Sequence, residues 1–265
     1  MDLAQQGQVS RSAADVYEEF FVPALFREPA QHVVRAADIR RGQSVLDVAC
    51  GTGVLAREAV RATGHDGNVT GLDRNEGMLA VAKRLAPGIN WHLGVAETLP
   101  FADQSFDRVF SQFALMFFDD RAAALQEMRR VMKPGGRMHV AVWDSLNRTP
   151  GYAAMVNLLN RLFGARAADA LRAPFVLGEP DTLRKTFVSA GMTGAHLETF
   201  DVTARFPSLE AWVHTDVKGW TLADMIGENE YQTLLGAARK ELAGFERSDG
   251  SVAFRSPAHV VTIAG

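Results

Sequence analysis

Through its first half the chain alternates short apolar runs with amphipathic stretches. Residues 44–49, Ser-Val-Leu-Asp-Val-Ala, are mostly small and branched, as in a strand buried on both faces. Residues 54–60, Val-Leu-Ala-Arg-Glu-Ala-Val, carry the one-sided pattern of a surface helix, which extends to about 63. The alternation repeats. Strands are predicted at 69–73, 89–93, 106–111 and 137–143, and helices at 75–86, ended by Pro87-Gly88, and at 119–132, stopped by the Lys133-Pro134-Gly135-Gly136 run. Such a succession predicts an α/β fold whose sheet is mostly parallel, with helices on both faces. Upstream, Ala13, Val16, Tyr17, Phe20 and Phe21 share one face of a helix that should end at Pro23, and a second helix follows over 29–38. Downstream the pattern turns mainly helical, at about 151–163, 166–173, 180–190, 208–217 and 228–243. Strands six and seven fall at 195–202 and 252–263, the latter disturbed by Pro257. The chain therefore divides into a helical cap (1–43), whose first nine residues read as mobile, a core (44–145), and a C-terminal part (146–265). That last part completes a seven-stranded sheet and carries a helical lid at about 203–250, which bears Trp212, His214 and Trp220.

The joint between the first strand and its helix holds the chemistry. Gly51 and Gly53 open the backbone to a ligand, and the new helix directs unpaired N–H groups at the gap. Gly51-x-Gly53-x-x-Ala56 also satisfies the dinucleotide fingerprint, so the glycines alone do not choose a ligand. Asp47 does. A carboxylate beside the turn repels a pyrophosphate but holds the ammonium of S-adenosylmethionine, whose methionine end is zwitterionic. Asp73, at the end of the second strand and about twenty residues on, suits two ribose hydroxyls.

These residues resemble the class I S-adenosylmethionine-dependent methyltransferases, and within them the ubiquinone and menaquinone C-methyltransferase-like branch. The resemblance rests on residues 45–53, on Gly71-Leu72-Asp73 with Met78-Leu79-Ala80-Val81-Ala82, and on Ala96-Glu97-Thr98-Leu99-Pro100-Phe101. Ser105-Phe106-Asp107 and residues 130–136 complete it. It implies a Rossmann-like fold and a cofactor, converted to S-adenosylhomocysteine, held by Tyr17, Asp47, Ala49, Gly51, Thr52, Gly53, Asp73, Arg74, Met78, Ala96, Glu97, Gln112 and Phe113. One departure stands out, since Val95 occupies the position where the family usually carries an Asp for the adenine amino group. The resemblance also places the aromatic N-terminal helix over the donor, with Tyr17 near its methionine end.

Composition narrows the partners. A net charge of −3 offers no footprint for nucleic acid, and no apolar stretch is long enough to span a membrane. The N-terminus lacks a charged-then-apolar signal, so a cytoplasmic protein is expected. The lone Cys50 excludes an internal disulfide and a thiolate zinc cluster, and it reads as an apolar filler rather than a nucleophile. No metal is expected. The acceptor is expected to be a small aromatic or hydrophobic molecule met by Phe21, Met116, Phe117, Trp143 and Trp212, with His214 the candidate base and an oligomer left open. Arg129, Arg130, Lys133 and Arg137 read as a solvated basic cluster near a helix end, and His139 as a core histidine. Two other readings stay open: a nicotinamide-dependent oxidoreductase, from the glycine spacing, and a non-catalytic cofactor-binding module, from Val95 and the lack of an evident base.

Overall fold

The structure, a computed structural model, describes residues 11–218 and 221–265; the tail over 1–9 and Trp220 lie outside them. β1 (Ser44–Val48) is buried along nearly its whole length, as its branched residues require, and lies between β2 (Asn68–Asp73) and β4 (Phe106–Gln112), parallel to both. β3 (Asn90–Leu93) extends one edge; β5 (Met132–Trp143), β6 (His196–Phe200) and β9 (Ala258–Ala264) build the other. The order is β3-β2-β1-β4-β5-β9-β6, with only β9 antiparallel to its neighbours. The expected seven-stranded, mostly parallel sheet is thus present. The connections leave β1 toward β2 on one side and return to β4 on the other, so a crevice opens beyond the carboxyl ends of these strands.

Four local expectations are corrected. Pro23 does not end the first helix. After α1 (Arg11–Val16) the chain widens into a π-helical stretch, Tyr17–Phe26, where the Arg27 N–H reaches back to the Val22 carbonyl, and it continues directly into α2 (Arg27–Ala36). The wider turn tolerates a residue that has no N–H and whose ring would crowd an α-helix. Residues 133–136 belong to β5 rather than to a helix stop: α5 (Arg121–Arg130) has already ended, and an irregular register opposite Phe106 and Arg108 absorbs the glycines. The last predicted strand breaks at Ser256-Pro257 into β8 (Val252–Arg255) and β9. β8 leaves the main sheet to pair with β7 (Thr203–Phe206). Finally, the basic cluster is not merely solvated. Arg130 ties the loop after β3 by donating to the carbonyls of Leu99 and Phe101 and pairing with Asp103 and Glu127, and Lys133 meets Asp107 at 2.9 Å.

The C-terminal helices form one packed unit drawn from two stretches of chain. α6 (Pro150–Phe163) packs on α7 (Ala165–Arg172) and on α10 (Glu228–Glu241), while α9 (Leu209–Lys218) touches α10, β7 and the π-helical stretch. Its core is the ring cluster of Trp212, Phe206, Phe245 and Phe254.

Candidate active site

Asp47 and Asp73 organise the turn after β1 from beneath. Asp47 is 1% exposed and accepts the Ala56 N–H at 3.1 Å, whereas Asp73 accepts Gly51 N–H at 2.7 Å and Asn75 N–H at 2.8 Å. Gly53 N–H goes to the Cys50 carbonyl. The amides expected to point freely at a ligand are largely consumed within the turn, and two of their acceptors are carboxylates. An anion gains little there, so the geometry disfavours a pyrophosphate more directly than simple repulsion does.

The two turn glycines serve different ends. Gly51 faces a cavity, and a Cβ there would meet nothing nearer than Tyr17 Cε1 at 4.0 Å. Gly53 takes a left-handed conformation (φ 85°) at the start of α3 (Val54–Thr63), and a Cβ on it would lie 2.4 Å from the Trp91 indole. Trp91, anchored by its N–H to the Ala86 carbonyl, also rests on Gly71. Gly53 therefore makes room for a tryptophan, not for a ligand.

An outer cavity lies above Gly51, enclosing about 950 Å³ including its mouth. Ala49 (φ 57°) and Phe113 (φ 56°), at the ends of β1 and β4, both sit in the left-handed region and line it. Such strain in non-glycine residues concentrates at functional sites. Asp73, Arg74, Met78, Val95, Ala96, Glu97, Tyr17, Phe26, Gln112 and Phe117 also line the cavity. Tyr17 stacks on Phe26 at 5.1 Å. The π-helical stretch is held down by Glu18, paired with Arg57 at 2.7 Å. Gln112 donates to the Phe26 carbonyl at 3.3 Å while its buried Oε1 has no partner. Burial pushes the Tyr17 phenol far up, helped by Asp73, Glu18 and Asp47, so its hydroxyl stays a donor. Burial, with Asp73 and Asp47, likewise holds Cys50 as a thiol, which removes it as a nucleophile. Burial raises Asp73 itself, against the two backbone amides, and lifts Asp47 to about 8, opposed by the Ala56 N–H.

A second, inner cavity adjoins the first. Phe26 lines both; it meets Phe113 at 5.7 Å and Trp143 at 6.1 Å, and Phe113 stacks on Trp143 at 3.8 Å to complete the partition. The inner walls are Phe21, Leu25, Trp143, Leu171, Pro174 and Phe175, plus two polar side chains, Tyr152 and Asp216.

Comparison with known proteins settles the family. Residues 46–140 match the family model described as a methyltransferase domain. A demethylmenaquinone methyltransferase of Staphylococcus haemolyticus is 34% identical over 184 residues, 64% of this chain and 77% of that one. The chain belongs to the class I S-adenosylmethionine-dependent methyltransferases, in the ubiquinone and menaquinone C-methyltransferase-like branch. The ubiquinone/menaquinone biosynthesis C-methyltransferase UbiE of Bordetella avium is 42% identical over 130 residues, 48% of this methyltransferase and 51% of that enzyme. The chain thus spans about half the length of that relative. In three dimensions, the YcgJ protein of Bacillus subtilis superposes with a TM-score of 0.61 at 19% identity, over 89% of this chain and 98% of that one, which establishes the fold. Nothing in these matches points to nicotinamide chemistry.

The residues of the methyltransferase's outer cavity fit its cofactor. They offer bare main chain at Gly51, an unpartnered acceptor at Gln112 Oε1, an acid at Asp73, and aromatic faces at Tyr17 and Phe113 for a cationic sulfur. Of the predicted cofactor set, Tyr17, Ala49, Gly51, Asp73, Arg74, Met78, Ala96, Glu97, Gln112 and Phe113 line the cavity together. Asp47, Thr52 and Gly53 do not. Asp47 accepts the Ala56 N–H at the start of α3, and Thr52 is 1% exposed. Among the predicted acceptor residues, Phe21 and Trp143 line the inner cavity and Phe117 the outer one, whereas Met116 is packed behind the wall. Trp212 is fully buried in the lid core, and His214 lies over Phe20 at 5.5 Å, lining neither cavity, so neither holds its expected place. His139 is the core histidine expected, bonded to Thr262 and stacked on Phe110, and burial, with Arg108 and Arg137, lowers it to about 4. Phe26, Tyr152, Phe175 and Asp216 were missed. For Asp216 a signal existed: it occupies a position of the buried stripe Leu209, Trp212, Val213, Asp216, Val217 on α9, where a carboxylate is out of place.

Proposed function

We propose that this methyltransferase moves the sulfonium methyl of S-adenosylmethionine to a small aromatic or hydrophobic molecule by in-line displacement. The observation that carries the reading is the aromatic-walled inner cavity, which shares Phe26 with the cofactor cavity and meets its lining at the Phe113–Trp143 stack. Its relatives' names, demethylmenaquinone and ubiquinone/menaquinone methyltransferases, agree with a ring-shaped acceptor. The cofactor, when bound, supplies a methyl already activated by positive sulfur. The chain's own residues then need to bind, orient and exclude water.

In this reading Asp73 uses its remaining lone pairs for the ribose hydroxyls. Gln112 Oε1 and the main chain around Ala49 and Gly51 receive the methionine end, under Tyr17. Met78, Ala96 and Glu97 enclose the adenosine end beside Arg74, and Val95 leaves the adenine amino group without its usual acid. Placement of acceptor against donor supplies up to about 7–11 kcal/mol in favourable intramolecular cases, and each aromatic face contributes about 0.5–2 kcal/mol toward the sulfonium. The test is transfer of labelled methyl from S-adenosylmethionine to a panel of hydroquinones, phenols and aliphatic amines. Label in the ring compounds is expected; label confined to the amines, or none, defeats the proposal.

A further inference from the structure

The inner cavity is apolar except at one point. Asp216 is 2% exposed; its Oδ1 accepts the Tyr152 hydroxyl at a long 3.4 Å, and among the described residues no close donor reaches its Oδ2. The buried Trp212 indole N–H is a donor to the same carboxyl and opposes the effect of burial on it. A buried polar atom left unpaired costs free energy that folding alone does not recover. An acid is unusual at this position, which continues the apolar stripe of Leu209, Trp212 and Val213.

We infer that Asp216, supported by Tyr152, is the polar anchor of the acceptor cavity and accepts a hydrogen bond from a hydroxyl on an otherwise apolar ring. Phe21, Trp143 and Phe175 line the same cavity with aromatic rings. A neutral donor fits better than a cation. Burial holds Asp216 well above the usual carboxylate range, which disfavours its charged form, and among the described residues no second acid lines the cavity to balance an ammonium. Asp216 is thereby a specificity-determining residue. The inference rests on the proposed function.

The test is equilibrium dialysis of the full chain, saturated with S-adenosylhomocysteine, against three probes of nearly equal shape: 2-naphthol, 2-methylnaphthalene and 2-(aminomethyl)naphthalene. The wild type should bind 2-naphthol at least tenfold more tightly than the methyl compound, and Asp216→Leu should reduce that preference below threefold. Asp216→Ala serves under the same criterion if the leucine variant does not fold. An unchanged preference in the variant, tightest binding of the amine, or binding of none of the three overturns the anchor. Methyl transfer to the phenol panel by a variant with undiminished hydroxyl preference would sink the anchor while the function stands. Absence of both transfer and S-adenosylhomocysteine binding would sink the function itself.

Discussion

The two cavities are built on opposite principles. The outer one is made of main chain at strand ends: Ala49, Gly51 and Phe113 hold left-handed backbones there, and Asp73 fixes the turn through two amide hydrogen bonds. The inner one is made of side chains from the π-helical stretch, β5, α6, the end of α7 and α9, brought together only by the lid's packing. A binding surface formed by backbone tolerates little substitution and recognises a constant molecule. A surface of side chains can be recut for a different acceptor without disturbing the turn, which suits a family whose donor is fixed.

The largest effect that separates the cavities is expected from Asp73→Ala. It orphans two backbone amides and removes the acid from the outer wall, so S-adenosylhomocysteine affinity should fall by more than about 100-fold, as the loss of charge-assisted hydrogen bonds implies; calorimetry measures it. Next is the space behind the turn. A Cβ at position 71 would lie 2.3 Å from the Trp91 ring. Gly71→Ala should therefore destabilise the chain by about 1–3 kcal/mol in chemical denaturation, a cost that falls below about 1 kcal/mol in a Trp91→Ala background. Persistence of the full cost without Trp91 would show that the glycine serves something else.

A pH experiment sharpens the role of Asp47. Burial lifts it to about 8, so the folded chain keeps a proton that the unfolded chain releases above about pH 4. Ionisation then favours the unfolded state, and stability contributed at this site declines from about pH 4 until the folded group ionises near 8. Asp47→Asn keeps an oxygen for the Ala56 N–H but cannot ionise. Its melting temperature relative to wild type should climb across that window and level off above it, whereas a flat difference would show that Asp47 is already charged. The smallest effect is expected at Val95, which is 41% exposed beside Glu97. Val95→Asp should tighten S-adenosylhomocysteine by at most about tenfold, the worth of one added hydrogen bond.

The same contrast decides what was legible in the sequence. Strand, turn and acid lie within a few residues of one another around Gly51 and Asp73, so local pattern and spacing placed most of the outer cavity. Where local rules failed, packing had overruled them. Pro23 was absorbed by a π-helical widening, and the glycines of residues 133–136 by an irregular strand pairing. Gly53 looked like ligand space but holds Trp91, a contact between residues 38 apart that no window of sequence contains. The lid was harder still. Trp212 and His214 drew attention by residue type, yet one fills the lid core and the other covers Phe20, while Asp216, on the same face as Trp212, was hidden by being an ordinary acid.

The most direct test of the division between the cavities is a calorimetric titration of S-adenosylhomocysteine into the wild type, Asp73→Ala and Asp216→Leu. One-site binding to the wild type, loss in Asp73→Ala and affinity within about twofold of wild type in Asp216→Leu are predicted from the separate lining of the two cavities. Binding unaffected by Asp73→Ala, or abolished by Asp216→Leu, would contradict it.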